Sequence, residues 1–237
     1  MIGALRAMVE KRPRWGFWKC FDRLRLDGEP WNHKRVLRVY REMRLNLPRR
    51  AKRRVPQRLR QPIGAPVMLN DVWALDFMHD RLYCGRPFRT LNVIDEANRE
   101  ALAVEVGSSI PAARVVRVLE QLIEMHGRPG AIRCDNGPEM TSQRFADWCE
   151  AEKIEVRYIQ PGKPDQNAYV ERFNRSFRQE VLDAYLFGSI AEAQDLSDEW
   201  LTDYNENRPH DGLGGLPPAH FLPRGPKLEK SSYRVCA

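Results

Sequence analysis

Apolar residues recur at helical spacing over the first 47 positions and at near-alternate spacing beyond residue 70, so two kinds of structure are expected in one chain. Ile2, Leu5 and Val9 fall on one face of a first helix that Pro13 closes. Trp15, Trp18 and Leu24 mark a second helix ended by Asp27-Gly28, and Asn32 is placed to cap a third that runs to about Leu45, with Val36, Tyr40 and Met43 inward. Asp71–His79, Phe88–Asp95 and Ala101–Val106 are β-prone runs separated by short turns, which predicts three antiparallel strands. A helix over Pro111–His126 follows, with Val115, Val118, Leu119 and Leu122 inward and Gly127 as its stop. Then come a strand at Ala131–Cys134, a helix at Ser142–Lys153, a strand at Glu155–Ile159, a long helix at Gln166–Leu186 and another near Ala191–Tyr204. Strands followed by alternating α and β units predict an α/β sheet layered with helices. The boundaries are drawn at 1–47 for the helical domain, 48–66 for a linker, 67–222 for the α/β domain and 223–237 for a tail.

Charge sharpens this division. The chain carries a net charge of +7, yet residues 1–60 hold 19 Lys and Arg against 5 Asp and Glu, while the remainder is net acidic. Such asymmetry points to a polyanion-binding segment joined to a different kind of domain. The third helix is basic outside, through Lys34, Arg35, Arg38, Arg41 and Arg44, and apolar inside, a pattern that fits a helix-turn-helix-like DNA reader. Pro48, Pro56 and Pro62 punctuate an arginine-rich linker suited to tracking phosphate.

Other classes are disfavoured. No apolar run approaches the roughly 18 residues that span a bilayer, and charged residues interrupt the N-terminal segment, so no membrane partner and a cytoplasmic location are expected. Five scattered cysteines without a Cys-x-x-Cys pair, and five dispersed histidines, argue against a disulfide framework and against zinc.

Three carboxylates stand out. Asp76 sits inside an apolar strand run, Asp135 directly follows the short apolar strand, and Glu171 opens the long helix. A carboxylate in such surroundings is costly unless it is paired or holds a cation. Hard divalent cations prefer oxygen ligands, and a pair of them suits phosphodiester chemistry.

The sequences around these acids carry a resemblance. Leu75-Asp76-Phe77, Cys134-Asp135-Asn136-Gly137-Pro138-Glu139 and the run from Pro161 to Asn174 resemble the DDE catalytic core of retroviral integrases and bacterial insertion-sequence transposases. Thirty-five residues separate Asp135 from Glu171, as in the family's D,D-35-E pattern. The resemblance runs from about Trp73 to Pro218 and is strongest to the OrfB-type transposase subunit of bacterial insertion sequences. The resemblance implies an RNase H-like integrase core with a mixed five-stranded sheet, Mg2+ or Mn2+ as cofactor (two ions), and DNA strand cleavage and transfer. It implies Asp76, Asp135 and Glu171 as catalytic, metal-binding residues. The expected partners are double-stranded DNA (transposon ends and target), further copies of the same chain as a homo-oligomer, and an upstream OrfA product or an OrfA–OrfB fusion; the expected location is the bacterial cytoplasm, in association with the nucleoid.

On the long helix, Glu171, Arg175 and Arg178 form one stripe beside an apolar stripe of Val170, Phe173, Phe177 and Val181, so metal ligand and phosphate-binding arginines would project together. Gln166 and Asn167 are candidate contacts to a DNA end and Lys163 to phosphate. His79 and Glu139 lie near catalytic acids without a required role, while Phe145, Trp148 and Trp200 are expected in the core. The Tyr204-Asn205 and Asn207-Arg208-Pro209-His210 stretch resembles the segment closing the family's core. The alternatives are a non-catalytic DNA-binding regulator of transposition and, within the fold, a ribonuclease H or junction resolvase.

Overall fold

The computed structural model describes residues 1–47, 68–160 and 167–224. The basic linker, Lys163, Gln166 and most of the expected tail fall outside the described residues. Contacts divide the chain into two units, one containing residues 1–47 with Thr202–Phe221, the other the sheet and its helices through Leu201 together with residues 222–224. The boundary drawn at residue 222 does not anticipate that Thr202–Phe221 groups with the N-terminal helices.

The first unit is built on α1 (Ile2–Lys11), α2 (Phe17–Leu26) and α3 (His33–Glu42). The Asn32 side chain caps α3 by accepting from the Lys34 N–H at 2.8 Å, satisfying a donor the helix cannot pair internally. Leu5, Met8, Trp15, Cys20, Phe21, Leu24, Val36 and Tyr40 close one core. Two expected inward residues are exposed instead: Ile2 at 54% and Trp18 at 58%. The inner face of α2 is set by Cys20, Phe21 and Leu24, and at about 100° per residue Trp18 stands about 120° round from Leu24. On the inner face of α1, Met8 replaces Ile2. From the 202–221 segment, Pro209 offers its carbonyl to Lys19 Nζ at 2.7 Å and Asp203 pairs with Arg12.

The second unit carries a five-stranded sheet in the order β3-β2-β1-β4-β5. Its strands are β1 (Val72–Arg81), β2 (Pro87–Asp95), β3 (Ala101–Gly107), β4 (Ala131–Cys134) and β5 (Glu155–Tyr158). The first three pair antiparallel through short turns; β4 lies parallel to β1, and β5 parallel to β4. The parallel strands need crossovers, which α4 (Ala112–His126) and α5 (Gln143–Ala151) supply. Alternation along β1 and β2 sends Trp73, Leu75, Leu91 and Val93 to the face shared with Val115, Leu119 and Leu122 of α4 and Phe145 of α5. Ala74, Asp76 and Asn92 therefore face the other side, which α6 (Ala168–Phe177) covers with buried Val170, Phe173 and Phe177. Trp200, on α7 (Ile190–Glu206), packs its ring against Phe173 and Phe177 with centroids 5.5 and 5.3 Å away. A last short helix, α8 (Pro218–Phe221), belongs to the first unit.

The long helix expected to reach Leu186 stops sooner. Its α-helical part ends at Phe177, and a π-helical turn over Arg178–Leu182 follows, in which the Asp183 N–H reaches back to the Arg178 carbonyl at 2.7 Å. Val181 stays buried through this wider turn, while Leu186 emerges into solvent. Apolar spacing alone does not distinguish the two kinds of turn, because both keep Val181 inward. Among the described residues, no helix is long and apolar enough to cross a membrane.

Candidate active site

Asp76 lies at the middle of β1, directly opposite Asn92 on β2. Its Oδ1 accepts the Phe77 N–H at 2.9 Å, and its Oδ2 accepts from Asn174 Nδ2 at 2.7 Å. Asn174 stands one helical turn beyond Glu171 on α6, and its own Oδ1 accepts from Asn92 Nδ2 at 2.6 Å. Both oxygens of the strand carboxylate are thus held before any ligand arrives.

Asp135 follows β4. The β1–β4 register pairs Val72 with Ala131 and Ala74 with Arg133, and extending it by two residues brings Asp135 level with Asp76 one strand away. The chain turns there on Asn136-Gly137. The Gly137 N–H donates to Asp135 Oδ1 at 3.1 Å, and Asn136 Nδ2 ties the turn to the Ile159 carbonyl at 3.1 Å. A Cβ on Gly137 would sit 3.0 Å from Asp135 Oδ1, so glycine is what lets this backbone lie so close to the carboxylate. Tyr158 secures the next residues by donating its hydroxyl to the Met140 carbonyl at 2.9 Å.

Burial is the main cause that raises the Asp76 pKa to about 6; the Phe77 N–H opposes it, and the charges of Asp135 and Glu171 push it further up. Carboxylates from β1, from the end of β4 and from the first turn of α6 therefore share one electrostatic neighbourhood. A divalent cation would relieve both the burial cost and the mutual repulsion, and an all-oxygen donor set suits Mg2+ or Mn2+. Among the described residues, no group of three or more His, Cys, Asp and Glu side chains is gathered closely enough to hold a metal ion.

The sequence-derived DNA contacts fare unevenly. Arg175 is exposed on α6. Arg178 is engaged with β1, donating to Asp80 Oδ2 and to the His79 carbonyl, each at 2.6 Å. Asn167 is only 3% exposed, and its Nδ2 donates to the Leu75 carbonyl at 3.3 Å, so it braces the entry of α6 against β1 instead of facing solvent. Lys34, Arg35 and Arg38 are exposed on α3 of the first unit. Glu139 pairs with Arg89, whose guanidinium also covers the Phe77 ring at 4.1 Å. Burial is the largest single influence on Glu139 and opposes its charged form, but the Arg89 hydrogen bond, a backbone hydrogen bond and the charges of Arg89 and His79 together hold that carboxyl below its ordinary range. Two residues of the site were not singled out from sequence, Asn92 and Asn174. The available signal was a polar Asn inside the apolar strand run Phe88–Asp95 and another Asn one turn past Glu171.

Two family models described as "Integrase core domain" match this chain, one over residues 66–164 and the other over 152–218. An uncharacterized 31.7 kDa protein of insertion element IS407 from Burkholderia multivorans is 38% identical over 93% of this chain and 80% of its own length. An uncharacterized 39.2 kDa protein of insertion element IS476 from Xanthomonas euvesicatoria is 40% identical over 90% of this chain, which spans only 62% of that relative. Among solved structures, the HTLV-2 integrase catalytic core domain in complex with magnesium aligns with a TM-score of 0.50 at 20% identity, over 64% of this chain and 95% of that one. A chain of the simian T-cell lymphotropic virus intasome, in complex with the PP2A regulatory subunit B56 gamma, aligns with a TM-score of 0.56 at 18% identity, over 98% of this chain and 80% of that one. The sheet order, the α6 layer and these relatives agree: the chain belongs to the family of bacterial insertion-sequence transposases with an integrase-type core.

Proposed function

We propose that this chain is a DDE transposase that cuts DNA at the ends of an insertion sequence and joins the freed strands to target DNA. The observation that carries this reading is the Asp76 carboxylate, half-buried beneath α6, hydrogen-bonded to Asn174, with its pKa raised to about 6 beside Asp135 and Glu171. Asp76, Asp135 and Glu171 would hold two Mg2+ or Mn2+ ions, which supply charge neutralisation on the scissile phosphate and lower the pKa of an attacking hydroxyl. The protein's own part is to orient. β1 and the Gly137 turn would orient two of the carboxylates, and α6, which packs on β1 and β2, would bring the third to the same face of the sheet.

DNA recognition would draw on exposed Arg175 and on Lys34, Arg35 and Arg38, with Lys163, Gln166 and Asn167 as further contacts near the start of α6. Arg178 would have to exchange Asp80 for a phosphate, and Asn167 would have to leave the Leu75 carbonyl. Acting on two ends calls for more than one copy of the chain, and an upstream OrfA product is the natural supplier of further end recognition.

The test is strand joining by the purified chain on labelled transposon-end DNA with Mg2+ or Mn2+, beside Asp135→Asn and Glu171→Gln, with and without the upstream product. Metal-dependent joined product that both substitutions abolish is expected. DNA binding without joining under every condition would replace this reading with the non-catalytic regulator.

A further inference from the structure

Asn92 is 0% exposed, and three of its strand neighbours, Leu91, Val93 and Ile94, are buried apolar residues. Its Nδ2 donates to Asn174 Oδ1, while its own Oδ1 is buried with no hydrogen-bond partner among the described residues. A buried amide with one end unsatisfied is destabilising relative to an apolar side chain of similar shape, so packing alone gives no reason for Asn at this position. The direction of the hydrogen bonds gives one. An ionised Asp76 only accepts, so Asn174 must turn its NH2 toward it and its carbonyl oxygen away. That oxygen is buried and needs a donor, and Asn92 provides it. The donors therefore run one way, from Asn92 to Asn174 to Asp76 Oδ2, while the Phe77 N–H holds Asp76 Oδ1.

We infer that Asn92 is a positioning residue for Asp76, acting through Asn174 to fix the plane of that carboxylate for a divalent cation. This rests on the reading of Asp76 as a metal ligand. Without the Asn92 donor, the Asn174 amide is free to rotate and set its oxygen against the carboxylate. The carboxylate then loses its orientation and one of its two anchoring hydrogen bonds. Outer partners of metal ligands commonly change metal affinity by about 10–100-fold when removed.

The experiment is Mn2+ titration of the full chain without DNA, followed by the electron paramagnetic resonance signal of free Mn2+. It compares the unsubstituted chain, Asp76→Asn, Asn92→Val, Asn174→Ala and the Asn92→Val/Asn174→Ala double variant, with thermal unfolding of each in EDTA. Asp76→Asn is expected to lose binding. Asn92→Val should weaken it about tenfold without lowering the unfolding temperature, a separation that a purely structural role would not produce. The double variant should bind no worse than Asn174→Ala alone, because the two act in series. If Asn92→Val does not fold, Asn92→Ala takes its place in the same cycle. Affinity within twofold of the unsubstituted chain for the Asn92 variant, or additive losses in the double variant, overturns the inference while Asp76→Asn still abolishes binding. Unchanged binding by Asp76→Asn would remove the metal-ligand reading itself, and the inference with it.

Discussion

On the side of the sheet that faces α4 and α5, Trp73, Leu75, Leu91 and Val93 meet Val115, Leu119, Leu122 and Phe145 in a continuous apolar layer. On the side that faces α6, the alternate positions of the same two strands include Asp76, Thr90 and Asn92, and α6 answers with Asn174 among Val170, Phe173 and Phe177. One pair of strands thus serves a face that stabilises the domain and a face that gives up stability to hold a carboxylate. Burial without charge accounts for the first. The second tolerates an acid with a raised pKa and an amide oxygen left without a partner.

Substituting one residue on each face gives the largest expected contrast. Leu119→Ala should lower unfolding stability in urea by roughly 2–5 kcal/mol while leaving strand joining per folded molecule near its original rate. Asp135→Asn should do the reverse, reducing joining more than about 100-fold with a stability change below about 1 kcal/mol. A similar stability loss from both would erase the distinction between the faces.

The pH dependence tests it next. The Asp76 pKa is higher in the folded chain, about 6 against an ordinary 3.8, so the folded state binds the extra proton and its stabilising effect is complete below about pH 3.8. That effect is lost as pH rises to about 6, and the loss persists above it. Asp76→Asn should therefore raise the unfolding temperature at pH 7 in EDTA and lose that advantage by pH 4, a difference of about 2 kcal/mol. Mg2+ should narrow the gap at pH 7 by stabilising only the unsubstituted chain.

Gly137→Ala is a smaller change aimed at the chemistry. Its Cβ would press on Asp135 Oδ1 at 3.0 Å, so joining should fall about tenfold while stability moves by less than about 1 kcal/mol. The smallest effect concerns the arginines of α6. Removing exposed Arg175 should reduce the salt slope of DNA binding by about one phosphate's worth, whereas Arg178→Ala should change it less, since Asp80 already occupies that guanidinium. Equal slopes for the two variants would mean that DNA displaces Asp80.

Strand and helix identities were largely legible because each element carries one clear period: two for β1 to β3, 3.6 for α4 and α6. Asp76, Asp135 and Glu171 stand out in the sequence because Asp76 breaks an apolar run and because their flanking residues resemble a known core. The inward face of α2 was misjudged through Trp18, since a large aromatic suggests burial from composition while helix phase turns it outward. The π-helical turn after Phe177 was hidden because it preserves the inward apolar position. Asn167 was taken for a DNA contact, and only the packing of α6 on β1 shows its amide engaged with the Leu75 carbonyl.

What the sequence determined by itself is local or carried by motif: the periods, the capping of α3 by Asn32, the stop at Gly127 and the motifs around the three acids that resemble the integrase core. The tertiary structure alone decided which partners those acids meet. That Asp76 lies opposite Asn92, that Asn174 reaches across from α6 to join them, and that Thr202–Phe221 groups with the first three helices are consequences of register and packing between distant segments. Long-range pairings of this kind depend on how whole elements bury their faces together, and no window of neighbouring residues encodes them.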